Sequence, residues 1–262
     1  PLPKWWLWTF YATVVWAIGY WLLMPAWPLV STYTKGFLGY SQRELVTEDV
    51  AAAKSEKSAY RDKIAAMDLV AINNDPELLS FALAGGEAAF GDNCAPCHGR
   101  GAQGAVGYPN LRDDSWLWGD GSLAAIHQTI LHGIRADDPE THTSQMPAFG
   151  RTGILSEPQI LDVAEYVLSL SGKADDKTAA ERGTKIFGAN CAACHGADGK
   201  GNPQLGAPNL ADELWLYAGD KQTVMETIRS SRGGVMPAWA KRLDPEIVKE
   251  LAIFVHSLGG GR

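Results

Sequence analysis

The first long uncharged stretch of the chain runs from Trp5 to Met24, twenty residues without Asp, Glu, Lys or Arg. A helix rises about 1.5 Å per residue, so this length spans roughly 30 Å, the thickness of the hydrocarbon core of a bilayer. Tryptophan and tyrosine gather near both ends, where amphipathic rings favour the membrane–water interface. The pattern predicts a transmembrane anchor within residues 1–30.

A cleaved secretion signal is the alternative interpretation of this stretch. Such a signal has a shorter apolar core and a cleavage site of small residues. Here the apolar run is long and ends at Pro25 and Pro28, so the anchor is favoured. The basic residues on its two sides, Lys4 before it and Lys35 and Arg43 after it, do not decide its orientation.

Residues 31–80 have a different pattern. From Leu45 to Ile72 the sequence is rich in alanine and in charges of both signs, which predicts a solvated helix. Asn73-Asn74-Asp75-Pro76 is a helix stop signal. No group in this segment suggests chemistry, so we expect a helical connector that holds the next part of the chain off the membrane.

The rest of the chain repeats itself. Phe90–Gly99 reappears as Phe187–Gly196, and later matches follow in the same order. The first copy is longer because residues 136–144 are inserted just before Met146. The repeat predicts two tandem domains, 81–172 and 173–262. The other matching pairs are Pro109/Pro208, Trp116/Trp215, Asp120/Asp220, Met146/Met236 and Leu170/Leu258.

Each copy begins and ends in a helical pattern. In the first helix a glycine lies four residues before a phenylalanine, as with Gly86 and Phe90, so both occupy one face. The last helix carries an aromatic residue among aliphatic ones, Tyr166 or Phe254. A glycine facing an aromatic ring lets two helices cross closely. We therefore expect a mainly α protein.

The motif Cys-x-x-Cys-His occurs in both copies, at 94–98 and at 191–195. Two thiols one helical turn apart can add to the vinyl groups of a haem, and the adjacent His then lies under the iron as the proximal ligand. A structural zinc site needs four converging thiolate or imidazole ligands, and a thioredoxin-like pair needs no His. The candidate covalent sites are Cys94, Cys97, Cys191 and Cys194, with His98 and His195 as axial ligands, and they predict two covalently bound haems c.

A second axial ligand is expected for each iron. Met146 and Met236 each open a Met-Pro-Ala-aromatic segment late in their copy. A thioether is a soft ligand that favours ferrous iron, so these are the candidates, each expected to serve the haem of its own repeat. Bis-His ligation in the first copy is the alternative, through His127, His132 or His142. With both axial positions filled, the chain transfers electrons and has no open site for O₂ or peroxide.

Two further features bear on function. A carbonyl at Pro109 or Pro208 could accept the ring N–H of the proximal His, and Trp116 and Trp215 could contact the haem. The formal net charge of −7 argues against nucleic acid, which requires a basic surface. No nucleophile–base arrangement or nucleotide-binding loop is found, so the chain by itself is not predicted to be an enzyme.

The two copies resemble class I cytochromes c over about residues 81–258. The whole chain resembles the di-haem subunit, subunit III, of the cbb3-type cytochrome c oxidases, which are C-family haem–copper oxidases. The features that carry this resemblance are a Trp-rich span (Pro3-Lys4-Trp5-Trp6-Leu7-Trp8), a helical connector and two haem motifs, in that order.

This resemblance implies a place in a respiratory chain. The anchor would cross the bacterial inner membrane once, and the haem domains would face the periplasm. Electrons would come from a soluble or membrane-anchored cytochrome c donor, and would pass to a mono-haem subunit and to the haem–copper catalytic subunit that reduces O₂ to water. The alternatives are a cytochrome subunit of a periplasmic dehydrogenase and a di-haem peroxidase.

The charge differs between the two copies. Residues 90–170 contain ten acids and four arginines, a net charge of −6, whereas residues 175–258 contain eleven acids and ten bases, a net charge of −1. We therefore expect the first copy to dock a basic cytochrome c through Asp137, Asp138 and Glu140 of its insertion. The alternative is that this acidity only keeps a periplasmic surface soluble.

Overall fold

The computed structural model describes residues 2–260, and helices make up most of them. Only isolated β-bridges occur in this part of the chain, with no sheet. The prediction of a mainly α protein with an apolar amino-terminal helix is confirmed. The helices are α1 (Lys4–Leu23), α2 (Gln42–Ala66), α3 (Leu69–Asn74), α4 (Pro76–Asn93), α5 (Ala95–His98), α6 (Leu123–His132), α7 (Glu157–Leu170), α8 (Lys177–Asn190), α9 (Ala192–His195), α10 (Lys221–Ser230) and α11 (Pro245–Ser257).

The chain divides into two compact units, one that ends at Ala59 and one that begins at Tyr60. In the first unit, α1 is long and apolar enough to cross a bilayer, and none of its residues is buried by protein. An unburied apolar helix of 20 residues needs an apolar solvent around it. This fits a membrane anchor.

The connector is helical but is not one helix. The helix predicted over Leu45–Ile72 is interrupted at Asp68, where α2 has ended and α3 begins. The Asp68 carboxylate accepts a hydrogen bond from the backbone N–H of Ala71 at 2.8 Å. An N-cap of this kind satisfies a free N–H of the first turn and favours a new helix start.

From Tyr60 onward the connector belongs to the packed second unit. Lys249 of α11 donates to three carbonyl oxygens at the end of α2, those of Ile64, Ala65 and Met67, at 2.6 to 2.9 Å. A cation that binds the free carbonyls of a helix C-terminus is favoured by hydrogen bonding and by the helix dipole. A buried cluster lies below this contact and consists of Ile64, Ile72, Leu78, Ala82 and Ile253.

The last helix of each repeat packs on the first helix of the other repeat, so the last helices are exchanged. Helix α7, which ends the first repeat, packs on α8, which begins the second, and α11 packs in the same way on α4. We name the resulting bodies the first lobe, residues 76–134 with 236–258, and the second lobe, residues 146–231. Each lobe therefore contains parts of both repeats. The boundary predicted at 172/173 separates the two repeats in the sequence, whereas in the structure it lies inside the second lobe.

The predicted close helix crossing exists, but between repeats. Gly183 lies against the backbone of Asp162 and the side chain of Tyr166, and Gly86 lies against Phe254 in the same manner. The aromatic rings then meet, with centroids 4.9 Å apart for Tyr166 and Phe187. A side chain at either glycine would enter the facing helix, so these positions fix the distance between the helices.

Chain connectivity explains the exchange. Only six residues, 171–176, separate the end of α7 from the start of α8. Two helices joined by so short a loop pack against each other as antiparallel neighbours. With α7 on α8, the equivalent position on α4 is left for α11, the last helix of the chain.

Candidate functional site

Each Cys-x-x-Cys-His motif forms one short helix at the end of a longer one. Cys94 follows α4, and the N–H of His98 donates to its carbonyl at 2.9 Å. Cys191 follows α8, and the N–H of His195 donates to it at the same distance. The two thiols of each motif are thus one helical turn apart and directly before the imidazole.

Both imidazoles are oriented by a proline carbonyl. His98 Nδ1 donates to the carbonyl oxygen of Pro109, and His195 Nδ1 donates to that of Pro208, both at 3.0 Å. A carbonyl can only accept, so the proton is on Nδ1 and Nε2 is free as a ligand. Burial lowers the pKa of both rings, although the proline carbonyl opposes this effect. The predicted contact of Pro109 and Pro208 with the proximal imidazoles is therefore present.

The four cysteines are free thiols, with Cys97 and Cys194 exposed. Burial first, and then the neighbouring cysteine, raises the pKa of Cys94 and of Cys191 to about 11. Sulfurs that are free of disulfides and lie beside an imidazole are available for thioether bonds to a porphyrin.

The methionines are exchanged between the lobes. Met236 packs in the cluster that contains Phe90 and Cys94, and Met146 packs in the cluster that contains Phe187. We expected each Met to lie with the haem motif of its own repeat. This expectation is wrong, because each Met side chain packs beside the haem motif of the other repeat. The reason is the helix exchange, because each Met segment stays with the helix that follows it.

The backbone holds both methionines in these places. The N–H of Met236 donates to the carbonyl of Ile134 at 3.0 Å, and the N–H of Ile134 donates to the carbonyl of Met236 at 2.9 Å. The Ser231 hydroxyl donates to the carbonyl of Met146 at 2.6 Å. Each Met segment thus pairs with the chain that leaves a helix of the other repeat, α6 or α10.

One continuous cavity contains both sets of candidate ligands. Its volume is about 2060 Å³ when its opening to solvent is included. Without the surrounding open space the cavity volume is about 310 Å³, at the lower end of the ~300–1,000 Å³ typical of ligand pockets. The candidate ligands that line it are Cys94, Cys97, His98, Met146, Cys191, Cys194, His195 and Met236.

The alternative histidine ligands of the first repeat do not line this cavity. His132 Nδ1 lies 2.9 Å from a carboxylate oxygen of Asp138, and the His142 ring stacks on Trp118 with centroids 4.2 Å apart. Burial lowers the pKa of His127, and Lys249 contributes to that shift. The geometry favours the methionines over these three residues.

Polar groups in the cavity fit a large cofactor with its own acceptors. The indole Nε1 of Trp215 is buried and has no hydrogen-bond partner among residues 2–260. Arg135 and Arg232 also line the cavity, and the Arg232 guanidinium lies 4.9 Å from the ring centre of Tyr217. An apolar cavity with a few donors fits the flat apolar ring and the carboxylates of haem. Within the same residues, no three His, Cys, Asp or Glu side chains converge as they would in a zinc site.

Two aromatic residues of the cavity were not predicted from the sequence. Trp118 packs against Gly206 of the second haem loop, and Tyr217 packs against Gly107 of the first. The N–H of Gly107 donates to the carbonyl of Leu216 at 2.7 Å, which joins the lobes beside the cavity. The available signal was the repeat itself, because Trp118 and Tyr217 follow the repeated tryptophans at the same distance.

Comparisons with known proteins agree with this geometry. Residues 178–255 match the family model of cbb3-type cytochrome c oxidase subunit III, and residues 83–171 match the cytochrome c model. Residues 1–31 match the N-terminal domain of cytochrome oxidase-cbb3, FixP. The matches to the haem domains indicate covalently bound haem c.

Curated relatives match along the whole chain. The cbb3-type cytochrome c oxidase subunit FixP of Azorhizobium caulinodans is 57% identical, over 100% of this chain and 89% of that protein. The CcoP subunits of Azospirillum brasilense and Cereibacter sphaeroides are 52% and 51% identical, over 100% of this chain and 91% and 90% of theirs. A dehydrogenase subunit and a peroxidase find no support here. The chain therefore belongs to the FixP and CcoP subunits of cbb3-type cytochrome c oxidases, which transfer electrons and are not the catalytic subunits.

Proposed function

We propose that the chain binds two haems c, one in each lobe, and relays electrons from a cytochrome c donor to the catalytic subunits of a cbb3-type oxidase that reduces O₂ to water. The observation that carries this proposal is the single cavity, which both Cys-x-x-Cys-His motifs and both methionines line. Because both sets of ligands line the same cavity, electrons would pass between the haems inside one chain.

The exchanged helices support a crossed set of axial ligands. His98 and Met236 belong to the first lobe and would hold one iron, while His195 and Met146 belong to the second lobe and would hold the other. Thioether ligands favour ferrous iron and raise the potential, which suits carriers that deliver electrons to a strong oxidant.

Haem, when bound, supplies a one-electron iron couple. The chain's own residues set its properties. The carbonyls of Pro109 and Pro208 hold the proximal imidazoles in the Nδ1–H tautomer, so that Nε2 faces the cavity. The buried Phe187 lines the cavity, and a less polar environment disfavours the additional charge of ferric iron.

The oxidase partners of this proposal are the mono-haem cytochrome c subunit and the haem–copper subunit, with a soluble or membrane-anchored cytochrome c as donor. Helix α1 would cross the inner membrane once, and residues from Ser31 onward would be periplasmic, because haem is attached to Cys-x-x-Cys-His outside the cytoplasm. Protease added to spheroplasts should then degrade the haem-stained domains, and their protection would contradict this orientation.

The haem content of the purified full chain tests the cofactor proposal. We expect two haems per chain by pyridine haemochrome, both retained in a denaturing gel. The variants Cys94→Ala/Cys97→Ala and Cys191→Ala/Cys194→Ala should each keep one covalent haem. A wild-type chain with one haem, or a variant that loses both, would contradict one haem per lobe.

A further inference from the structure

The repeated tryptophans Trp116 and Trp215 have equivalent places in the two lobes but different hydrogen bonds. Each indole nitrogen lies against a glycine just before the next helix, Gly121 for Trp116 and Gly219 for Trp215. Each ring packs at the edge of the apolar cluster of its lobe. The two rings thus have equivalent positions, so the hydrogen-bond partners of their indole N–H groups can be compared directly.

In the first lobe the N–H is used by the protein. Trp116 Nε1 donates to the carbonyl oxygen of Gly260 at 2.5 Å, across 144 positions of sequence. Gly260 is buried and follows Gly259, whose φ of +111° lies in a region that favours glycine. The segment after α11 therefore turns back onto the Trp116 ring, and Trp116 is not among the residues that line the cavity.

In the second lobe the N–H is available to a ligand. Trp215 Nε1 is buried, has no acceptor among residues 2–260, and belongs to a side chain that lines the cavity. A buried donor without a partner is energetically unfavourable, so an acceptor at this position is strongly favoured. The acceptors of haem are its two propionate carboxylates, since the rest of its rim is apolar.

We propose that Trp215 donates a hydrogen bond to a propionate of the haem in the second lobe, whereas Trp116 is withheld from the first haem by the carbonyl of Gly260. This rests on the proposed presence of one haem in each lobe. A hydrogen bond to a carboxylate reduces its effective negative charge, and negative charge near iron stabilises the ferric state. Trp215 therefore acts as a positioning residue that raises the potential of the second haem only.

The test is a redox titration of the full chain with Trp215→Phe and, as the matched control, Trp116→Phe. We expect Trp215→Phe to shift the reduction equilibrium of one haem by about threefold toward the ferric form, which is ~28 mV when a tenfold change corresponds to 59 mV for one electron. The shifted wave should be the one that Cys191→Ala/Cys194→Ala removes. Trp116→Phe should leave both potentials unchanged.

A second variant separates the hydrogen bond from the packing of the ring. Trp215→His keeps a ring N–H in a smaller side chain, so its potential should lie above that of Trp215→Phe. No shift in Trp215→Phe, an equal shift in Trp116→Phe, or identical potentials for the Phe and His variants would each overturn the inference. These outcomes leave a measured content of two haems intact, whereas failure of the proposed function would appear as a missing haem.

Discussion

The two lobes of the second unit have the same haem-binding parts in different electrostatic surroundings. In both, a proline carbonyl fixes the imidazole, and a glycine crosses close to an aromatic helix residue. The second lobe adds ion pairs, such as Arg182 with Asp162 and Lys221 with Glu165, which is only 1% exposed. Duplicated elements thus place two cofactors alike, while the residues around them can set different stabilities and potentials.

The net charge of the two halves depends on whether they are defined by sequence repeat or by lobe. By repeat, the net charges are −6 and −1, and this contrast suggested docking of a basic donor on the first copy. By lobe, the first contains nine acids and five bases, a net charge of −4, and the second contains eleven acids and eight bases, a net charge of −3. The contrast nearly disappears, because the exchanged helices redistribute the charges. The insertion 136–144 remains the main acidic difference.

The largest expected effect is the loss of an axial methionine, and a different methionine should matter in each lobe. In the chain with Cys94→Ala/Cys97→Ala, we expect only the haem of the second lobe to be bound. There, Met146→Ala should abolish the sulfur-to-iron charge-transfer band and lower the potential, because its thioether would ligate that iron. Met236→Ala should leave the band in place.

The absorption spectrum of the ferric form measures this, and the reverse pattern is expected in the chain with Cys191→Ala/Cys194→Ala. Loss of the band on replacement of the methionine of the same repeat would show that the ligands are not crossed. Retention of the band in both methionine variants would turn attention to His127, His132 or His142.

A second prediction concerns the aromatic core that both lobes share. Phe90 and Phe187 are each 1% exposed and lie where an exchanged helix packs. Replacement of either by alanine should lower the free energy of unfolding by about 3–5 kcal/mol, since a large cavity remains. Ile154→Ala, at 52% exposure and outside the cavity, is the matched control and should change it by less than about 0.5 kcal/mol. Urea titration followed by tryptophan fluorescence measures the loss, and a cost near that of the control would place these rings outside the core.

The third prediction distinguishes the lobes by acid. A hydrogen bond from Thr223 holds the pKa of Asp220 below its ordinary value of 3.8, and Arg229 holds that of Glu157 below 4.5. Groups with a lowered pKa stabilise the fold above their unfolded values, and this stability is lost as pH falls through the folded values. In the first lobe, burial raises the pKa of Asp113. The contribution of Asp113 to stability therefore changes with pH in the opposite direction.

Below about pH 4.5, the second lobe should therefore lose stability faster than the first. Thermal unfolding of the two single-haem chains, followed at the Soret band from pH 6 to pH 3, measures this difference. Equal slopes against pH would show that these carboxylates do not distinguish the lobes.

The smallest expected effect concerns the donor. Asp138 is held by His132 and by the backbone N–H of Glu140, whereas Asp137 and Glu140 are exposed. We expect Asp137→Asn/Glu140→Gln to slow reduction by a basic cytochrome c at low salt by less than about threefold, and to flatten its salt dependence. Stopped-flow rates over a range of ionic strength measure this. Rates and slopes equal to those of the wild type would remove the insertion from the docking surface.

Particular residues show what can be predicted from the sequence. The motifs at 94–98 and 191–195 could be interpreted directly, because thioether attachment and the adjacent imidazole depend on residues that are neighbours in the chain. The contacts of Pro109 and Pro208 with these imidazoles were predicted for the same reason, since a short loop joins them. The break of the connector at Asp68 was missed, because the alanine-rich pattern continues across it.

The sequence by itself determined the membrane-length helix, the two haem motifs and the candidate methionines, because each of these depends on local spacing and side-chain chemistry. Only the tertiary structure decided which methionine lies with which histidine, where Trp118 and Tyr217 meet the haem loops, and that Trp116 and Trp215 differ. These features depend on which helices pack together. Because the two repeats have equivalent surfaces, the last helix of each can pack either on its own repeat or on the other one. The short loop at residues 171–176 favours α7 on α8, and this choice places Met146 beside the second haem motif and Met236 beside the first.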